Sequence, residues 1–159
     1  MGNYKDFEQD FVMRTMMLID QYNEEIIPKK PFHEQFNYTL LLNCLLGLIV
    51  MPKEKALTAI PTDRLTKKFK QSMGLENSTL PGAETSLRQL LIKMRNSVAH
   101  FDFEVVSTDE NMLFDIVKFK DTESKDVFAS FKANEIYPFL QFYTDCLHRN
   151  IPNIQSSTT

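Results

Sequence analysis

Apolar residues recur near helical spacing from Asp6 to Ile27, with Phe7, Phe11, Met17 or Leu18, and Tyr22 on one face. Pro28 and Pro31 end this run and leave Lys29 and Lys30 in a short basic loop. A second helix is predicted from about Glu34 to Met51. Between Tyr38 and Met51 nearly every position is apolar, but this is about 14 residues where a bilayer span needs roughly 20. The stretch therefore reads as the buried central helix of a bundle, and Asn37 and Asn43 would need partners inside the protein. Structural hydrogen bonding explains both better than catalysis does. Pro52 interrupts the pattern, and Lys53 to Ala59 adds a turn or two. Pro61 to Gly82 is the least regular part. Its end, Glu76 to Gly82, reads as a loop, and its length and position beside the next helix make it a candidate for substrate contact.

That next helix carries the sharpest pattern. At about 100° per residue, Leu87, Leu90, Leu91, Met94, Val98 and Phe101 form one stripe for the core. Gln89, Lys93, Asn96 and His100 cluster nearly opposite, with Asn96 and His100 direct neighbours. Arg95 lies at the edge of the stripe. Ile92 and Ala99 fall between Arg95 and His100, a small apolar strip on the polar side that suggests contact with another surface.

Beyond His100 the period changes from helical to alternating, with Phe101, Phe103 and Val105 on one side and Asp102 and Glu104 on the other. A turn at Ser107–Asn111, a strand at Met112–Lys118, a turn at Asp121–Lys125 and a strand at Asp126–Lys132 complete an antiparallel meander. Phe114, Ile116, Phe128 and Phe131 are the candidates for its packed face. Asn134 can cap a final helix that runs to about Arg149, with Pro138 in or just past its first turn. The expected fold is α+β and mainly α. It is a four-helix-type bundle with a small three-stranded antiparallel meander before the C-terminal helix. One domain spans residues 1–150, and residues 151–159 form a loose tail.

The length suits one domain with a real core, and 43% hydrophobic with 25% charged residues is a globular composition. A net charge of −3 excludes a broadly basic nucleic-acid binder, so any RNA contact must be local. Arg64, Lys67, Lys68 and Lys70 surround Phe69 and read either as a phosphate patch or as the solvated face of a short helix. The two cysteines form no metal-binding pair, and Cys44 reads as a small buried hydrophobe. The polar, acidic N-terminus shows no secretory signal, so a cytoplasmic protein without a membrane anchor is expected.

No phosphate-binding glycine loop and no His-Glu-x-x-His sequence is present. Ser97 precedes His100 by three positions, but no acid is placed to orient the two as a triad. His33 and His148 read as surface or capping residues and share no ligand spacing with His100, so no metal and no cofactor are expected. RNA cleavage fits the set better. RNA carries its own 2′-OH nucleophile, a histidine can act as base or acid near neutral pH, and an arginine grips phosphate oxygens. Asn96 can bind phosphate or orient His100, and Ser97 and Lys93 are further candidates for RNA contact. Spacing alone also permits a plainer reading, in which His100 meets the helix dipole and Arg95 snorkels.

Arg95-Asn96-Ser97-Val98-Ala99-His100 resembles the motif of the HEPN superfamily, an arginine and a histidine four to six residues apart, often with a polar residue after the arginine. Over roughly Asp6 to Asn150 the chain is similar to the plasmid-associated HEPN family of prokaryotes. The likeness rests on the helix Phe36–Leu48, on the motif helix running into Phe101-Asp-Phe-Glu, and on the β segment followed by a terminal helix. It implies a HEPN-like bundle and a metal-independent endoribonuclease that leaves 2′,3′-cyclic phosphate and 5′-OH ends. Arg95, Asn96 and His100 would be catalytic, in a site shared across a homodimer with Ile92 and Ala99 at the interface. The alternative is a non-catalytic nucleotide- or RNA-binding or dimerisation module. Toxin, phage-defence and processing roles, and a neutralising antitoxin-type partner, are left open.

Overall fold

The computed structural model describes residues 4–51, 57–108, 110 and 113–155, with side chains as far as Ile151. Helix α1, Phe7–Glu25, starts where the Asp6 carboxylate accepts the Gln9 N–H at 3.3 Å, satisfying a donor the first turn leaves open. Its buried stripe is Val12, Thr15 and Ile19, with Phe11 packed alongside. Phe7, Met17 and Leu18, expected on that face, are exposed, because the true stripe is rotated around the helix.

A single 3-10 turn at Phe32–Glu34 precedes helix α2, Asn37–Val50. This helix buries Leu41, Cys44, Leu45, Leu48 and Ile49 and touches every other long helix, so it is the centre of the bundle. Burial pushes the Cys44 thiol up to about 11. Full enclosure is nevertheless corrected. Thr39, Asn43 and Val50 are exposed along one line of α2, and Asn43 needs no internal partner, while Asn37 is half-buried. Most of the turn expected at Lys53–Ala59 lies outside the described residues.

Helix α3, Lys67–Ser72, is capped by the Thr66 hydroxyl. Helix α4, Leu87–Ala99, carries Arg95 and Asn96 and is C-capped by His100. Ser86 and Gln89 form a reciprocal capping box at its start, each side chain accepting the other's backbone N–H. The chain then forms strands β1 (Phe103–Val106), β2 (Ile116–Lys120) and β3 (Val127–Lys132), and helix α5 (Ala133–Gln155). Helices α1, α2, α4 and α5 make the bundle, with β2 laid on α4 and β3 on α5.

The sheet is an antiparallel meander in the order β1-β2-β3, with Phe103 opposite Phe119 and Phe119 opposite Ala129. Its buried face is Val117, Phe119, Ala129 and Phe131. Of the expected strand Met112–Lys118, Met112 lies outside the described residues; strand β2 begins at Ile116, so Val117 and Phe119 fill the core and Ile116 is only half-buried. Phe131 is buried as expected, and Phe114 and Phe128 pack on the core's margin. Helix α5 follows β3 without a break, so Asn134 lies inside it and not at a cap. It continues through Ile151–Gln155, past the expected start of the tail, and residues 156–159 lie outside the described residues.

A chain of ring contacts runs from the surface into the bundle. Phe101 meets Phe103 at 5.1 Å between centroids, Phe103 meets Phe119, and Phe119 meets Phe131. Phe131 then meets Phe139, which stacks on Tyr143. Aromatic pairs at such separations add to the area they bury and stiffen the seam between sheet and helices.

The irregular segment before α4 is pinned down rather than free. Arg88 donates to the carbonyls of Thr58 and Ile60. Thr79 bridges Ser130 on β3 through two backbone bonds. Glu135, 6% exposed in the first turn of α5, accepts five hydrogen bonds from Glu76, Asn77 and Ser78. The Glu76–Gly82 loop is thus tied to β3 and α5, with Glu76, Asn77 and Thr79 exposed along it. Among the described residues no helix is long and apolar enough to cross a membrane.

Candidate active site

Helix α4 presents a buried face and an outer face. Leu87, Leu90, Leu91, Met94 and Ser97 are buried, and Val98 packs against the core. On the outer face Ile92 is 38% exposed, Asn96, Ala99 and His100 are exposed, and Arg95 is half-buried. Arg95 and His100 are about 140° apart around the helix, one on each flank of the strip made by Ile92 and Ala99. The Arg95 charge also reaches the buried Tyr143 hydroxyl, whose pKa burial raises and Arg95 opposes.

The helix ends in a Schellman turn. His100 is the C-cap, the Phe101 N–H donates to the Val98 carbonyl at 3.1 Å, and the Asp102 N–H donates to the Ser97 carbonyl at 2.7 Å. Phe101 therefore has φ +60, a left-handed conformation that glycine or asparagine adopts at least cost. The core stripe expected to include Phe101 stops at Val98, because the chain leaves the helix before Phe101 could face inward. Its ring is 81% exposed.

Ser97 corrects a second expectation. It is 0% exposed, and its hydroxyl donates to the Asp102 carbonyl at 2.7 Å, so it holds the turn and cannot touch RNA in solution. The same carbonyl accepts the Lys120 N–H of β2 at 2.8 Å. Asp102 thus joins the end of α4 to the sheet. Its Oδ1 accepts Lys125 at 2.7 Å, while Oδ2 is buried with no hydrogen-bond partner among the described residues. Sequence reading did not single out Asp102, because its role lies in its backbone.

Beside Asn96 lies a hollow of about 280 Å³ lined by Lys93, Asn96, Asp121, Thr122, Glu123 and Phe128. Lys93 sits 3.7 Å from Asp121 and over the Phe128 ring. Backbone N–H groups of Ser124 and Glu123, helped by Lys93, hold the Asp121 carboxyl below its ordinary value. This flank carries both signs of charge, and Lys93 is already engaged there.

The cations that read either as a phosphate patch or as the solvated face of a short helix are divided in the structure. Arg64 donates to the Glu84 carbonyl at 2.8 Å and Lys70 to the Leu80 carbonyl at 3.4 Å, so both secure the segment before α4. Lys67 and Lys68 are exposed on α3, and Lys67 and Lys70 line a hollow that shares no residue with the one beside Asn96. His33 lies exposed in the 3-10 turn and His148 exposed on α5. Among the described residues no group of three or more His, Cys, Asp or Glu is arranged to hold a metal ion.

Compared with known families, residues 1–154 match the family model described as HEPN pEK499 p136. No curated protein and no solved structure matches the chain.

Proposed function

Because the chain belongs to the HEPN pEK499 p136 family, which points to a nuclease or RNA-binding module, we propose that it is a metal-independent endoribonuclease. The observation that carries this reading is the outer face of α4. Arg95, Asn96 and His100 all lie off its buried stripe near an ordered helix end, Asn96 and His100 exposed and Arg95 half-buried, while the opposite face is committed to the core.

In the proposed reaction the RNA 2′-oxygen attacks the adjacent phosphorus and the bond to the 5′-oxygen breaks. A base takes the 2′-OH proton and an acid gives one to the 5′-oxygen, leaving a 2′,3′-cyclic phosphate and a 5′-OH. His100 serves this chemistry because imidazole changes charge near neutral pH. Arg95 offers a permanent forked charge to the phosphate oxygens, and Asn96 hydrogen-bonds a phosphate or orients His100. One chain supplies one histidine at this face. A two-fold axis along the Ile92–Ala99 strip would bring two copies of His100 and Arg95 together, one histidine as base and one as acid. A non-catalytic RNA-binding or dimerisation module is the alternative, and the same exposed apolar strip is what favours it.

Incubation of the purified protein with mixed RNA in EDTA, followed by end-group analysis, tests the proposal. Cleavage with cyclic-phosphate and 5′-OH ends, and intact DNA, is the expected result. Cutting that stops on chelation, or equal cutting of DNA, overturns the mechanism.

A further inference from the structure

Phe101 occupies the one position of the Schellman turn where a side chain is least welcome, and the turn is fixed on both sides of it. Bonds from Phe101 to Val98 and from Asp102 to Ser97 set the backbone, and the Ser97 hydroxyl and Lys120 N–H lock the Asp102 carbonyl. A bulky residue at φ +60 persists only where its surroundings over-determine it, and such positions cluster at functional sites. The ring gains little from burial, being 81% exposed. It leans on Phe103 at an interplanar angle of 55°, and Phe103 leans on the buried Phe119, so one side of Phe101 is braced and much of its surface is open.

We propose that Phe101 is a base-stacking platform, which holds a nucleotide of the RNA strand next to His100. The inference rests on the RNA-directed reading of this face and adds a positioning residue to it. Every base has a π-face, so a single braced ring binds a strand without demanding a sequence, and stacking on one aromatic is worth roughly ten- to a hundredfold in affinity. A second protein chain is the poorer occupant. The ring's sequence neighbours are the exposed His100 and the ion-paired Asp102, so an occupant that stacks on the ring also meets polar and charged groups, as a strand of bases and phosphates does.

The test is binding of a short 2′-O-methyl oligonucleotide of mixed sequence, which lacks the nucleophile and cannot be cut. It is measured by fluorescence anisotropy for the wild type, Phe101→Asn and Phe101→Tyr. Asparagine tolerates the left-handed backbone, so its melting temperature should not fall, yet its affinity should drop about tenfold or more. Tyrosine should bind within about twofold of the wild type. An abasic nucleotide placed in turn along the strand should weaken wild-type binding at one position and leave Phe101→Asn indifferent there. Equal binding by the wild type and Phe101→Asn overturns the platform, as does no binding by the wild type. A loss of dimer mass on Phe101→Asn, read by sedimentation, also overturns it and assigns the ring to a contact between copies. Binding that depends on Phe101 without any RNA cleavage sinks the ribonuclease reading and supports the platform. Cleavage with Phe101-independent binding does the reverse.

Discussion

Ser97 and Asp102 are joined twice, the Ser97 hydroxyl donating to the Asp102 carbonyl and the Asp102 N–H donating to the Ser97 carbonyl, both at 2.7 Å. The pair closes the helix just where His100 and Phe101 leave it. A fully buried serine thus sets the geometry of its neighbours without facing solvent.

Ser97→Ala should cost about 1 kcal/mol, the net worth of one internal hydrogen bond, and lower the melting temperature by roughly 2–4 °C. Cleavage should fall further, by roughly tenfold, since small misplacements of reacting groups are costly. Thermal melts and initial rates on the same preparation check this, and an unchanged rate would remove the positioning role.

His100→Ala and Arg95→Ala should each reduce cleavage at least about a hundredfold, the scale of a general acid–base group, with melting little altered. Met94→Asp should do the opposite, placing a charge at a position that is 0% exposed and unfolding the protein. If His100→Ala melts the protein as Met94→Asp does, His100 is holding the fold and not the reaction.

Ile92→Asp should weaken self-association and cleavage together while leaving the monomer folded, because Ile92 stands off the buried stripe of α4. Light scattering at several dilutions, paired with activity, reads both. A monomer that cleaves at full rate at every dilution is incompatible with a shared site.

The Glu135 latch predicts an acid limb in stability. Burial pushes this carboxyl upward, but hydrogen bonds from Ser78 and Asn77 outweigh it and hold the folded group below its ordinary 4.5. A group depressed on folding contributes fully above its unfolded value and loses that contribution as pH falls through the folded value. Denaturant melts should therefore show stability declining below about pH 4.5. Glu135→Gln should be less stable at neutral pH and show a shallower acid decline. Parallel curves for the two proteins would discount the latch.

How far the sequence foretold this arrangement depends on the range of each interaction. The stripe Leu87, Leu90, Leu91 and Met94 was legible because helical period alone encodes it, and so was the change of period after His100. Phe101 was misplaced for the same reason. Its spacing continues the stripe, and the left-handed turn that removes it is usually signalled by glycine. The Ser86–Gln89 capping box is written in local spacing alone, a serine followed three residues later by a glutamine. The β2 phase failed because Phe114 and Ile116 alternate as plausibly as Val117 and Phe119, and only packing on α4 chooses between them. The Glu135 latch spans 57 to 59 positions, beyond anything a local pattern records.

The order of synthesis gives the Asp102 carbonyl a further meaning. It accepts Ser97 from behind and Lys120 from ahead, and Lys120 is made eighteen residues after Asp102. A nascent chain that has exposed Arg95 and His100 but not β2 holds both residues without the strand that anchors their turn. Chains emerge from the ribosome at about 5–20 residues per second. For the seconds that separate the two residues in synthesis, each new molecule carries Arg95 and His100 without the strand that fixes their turn.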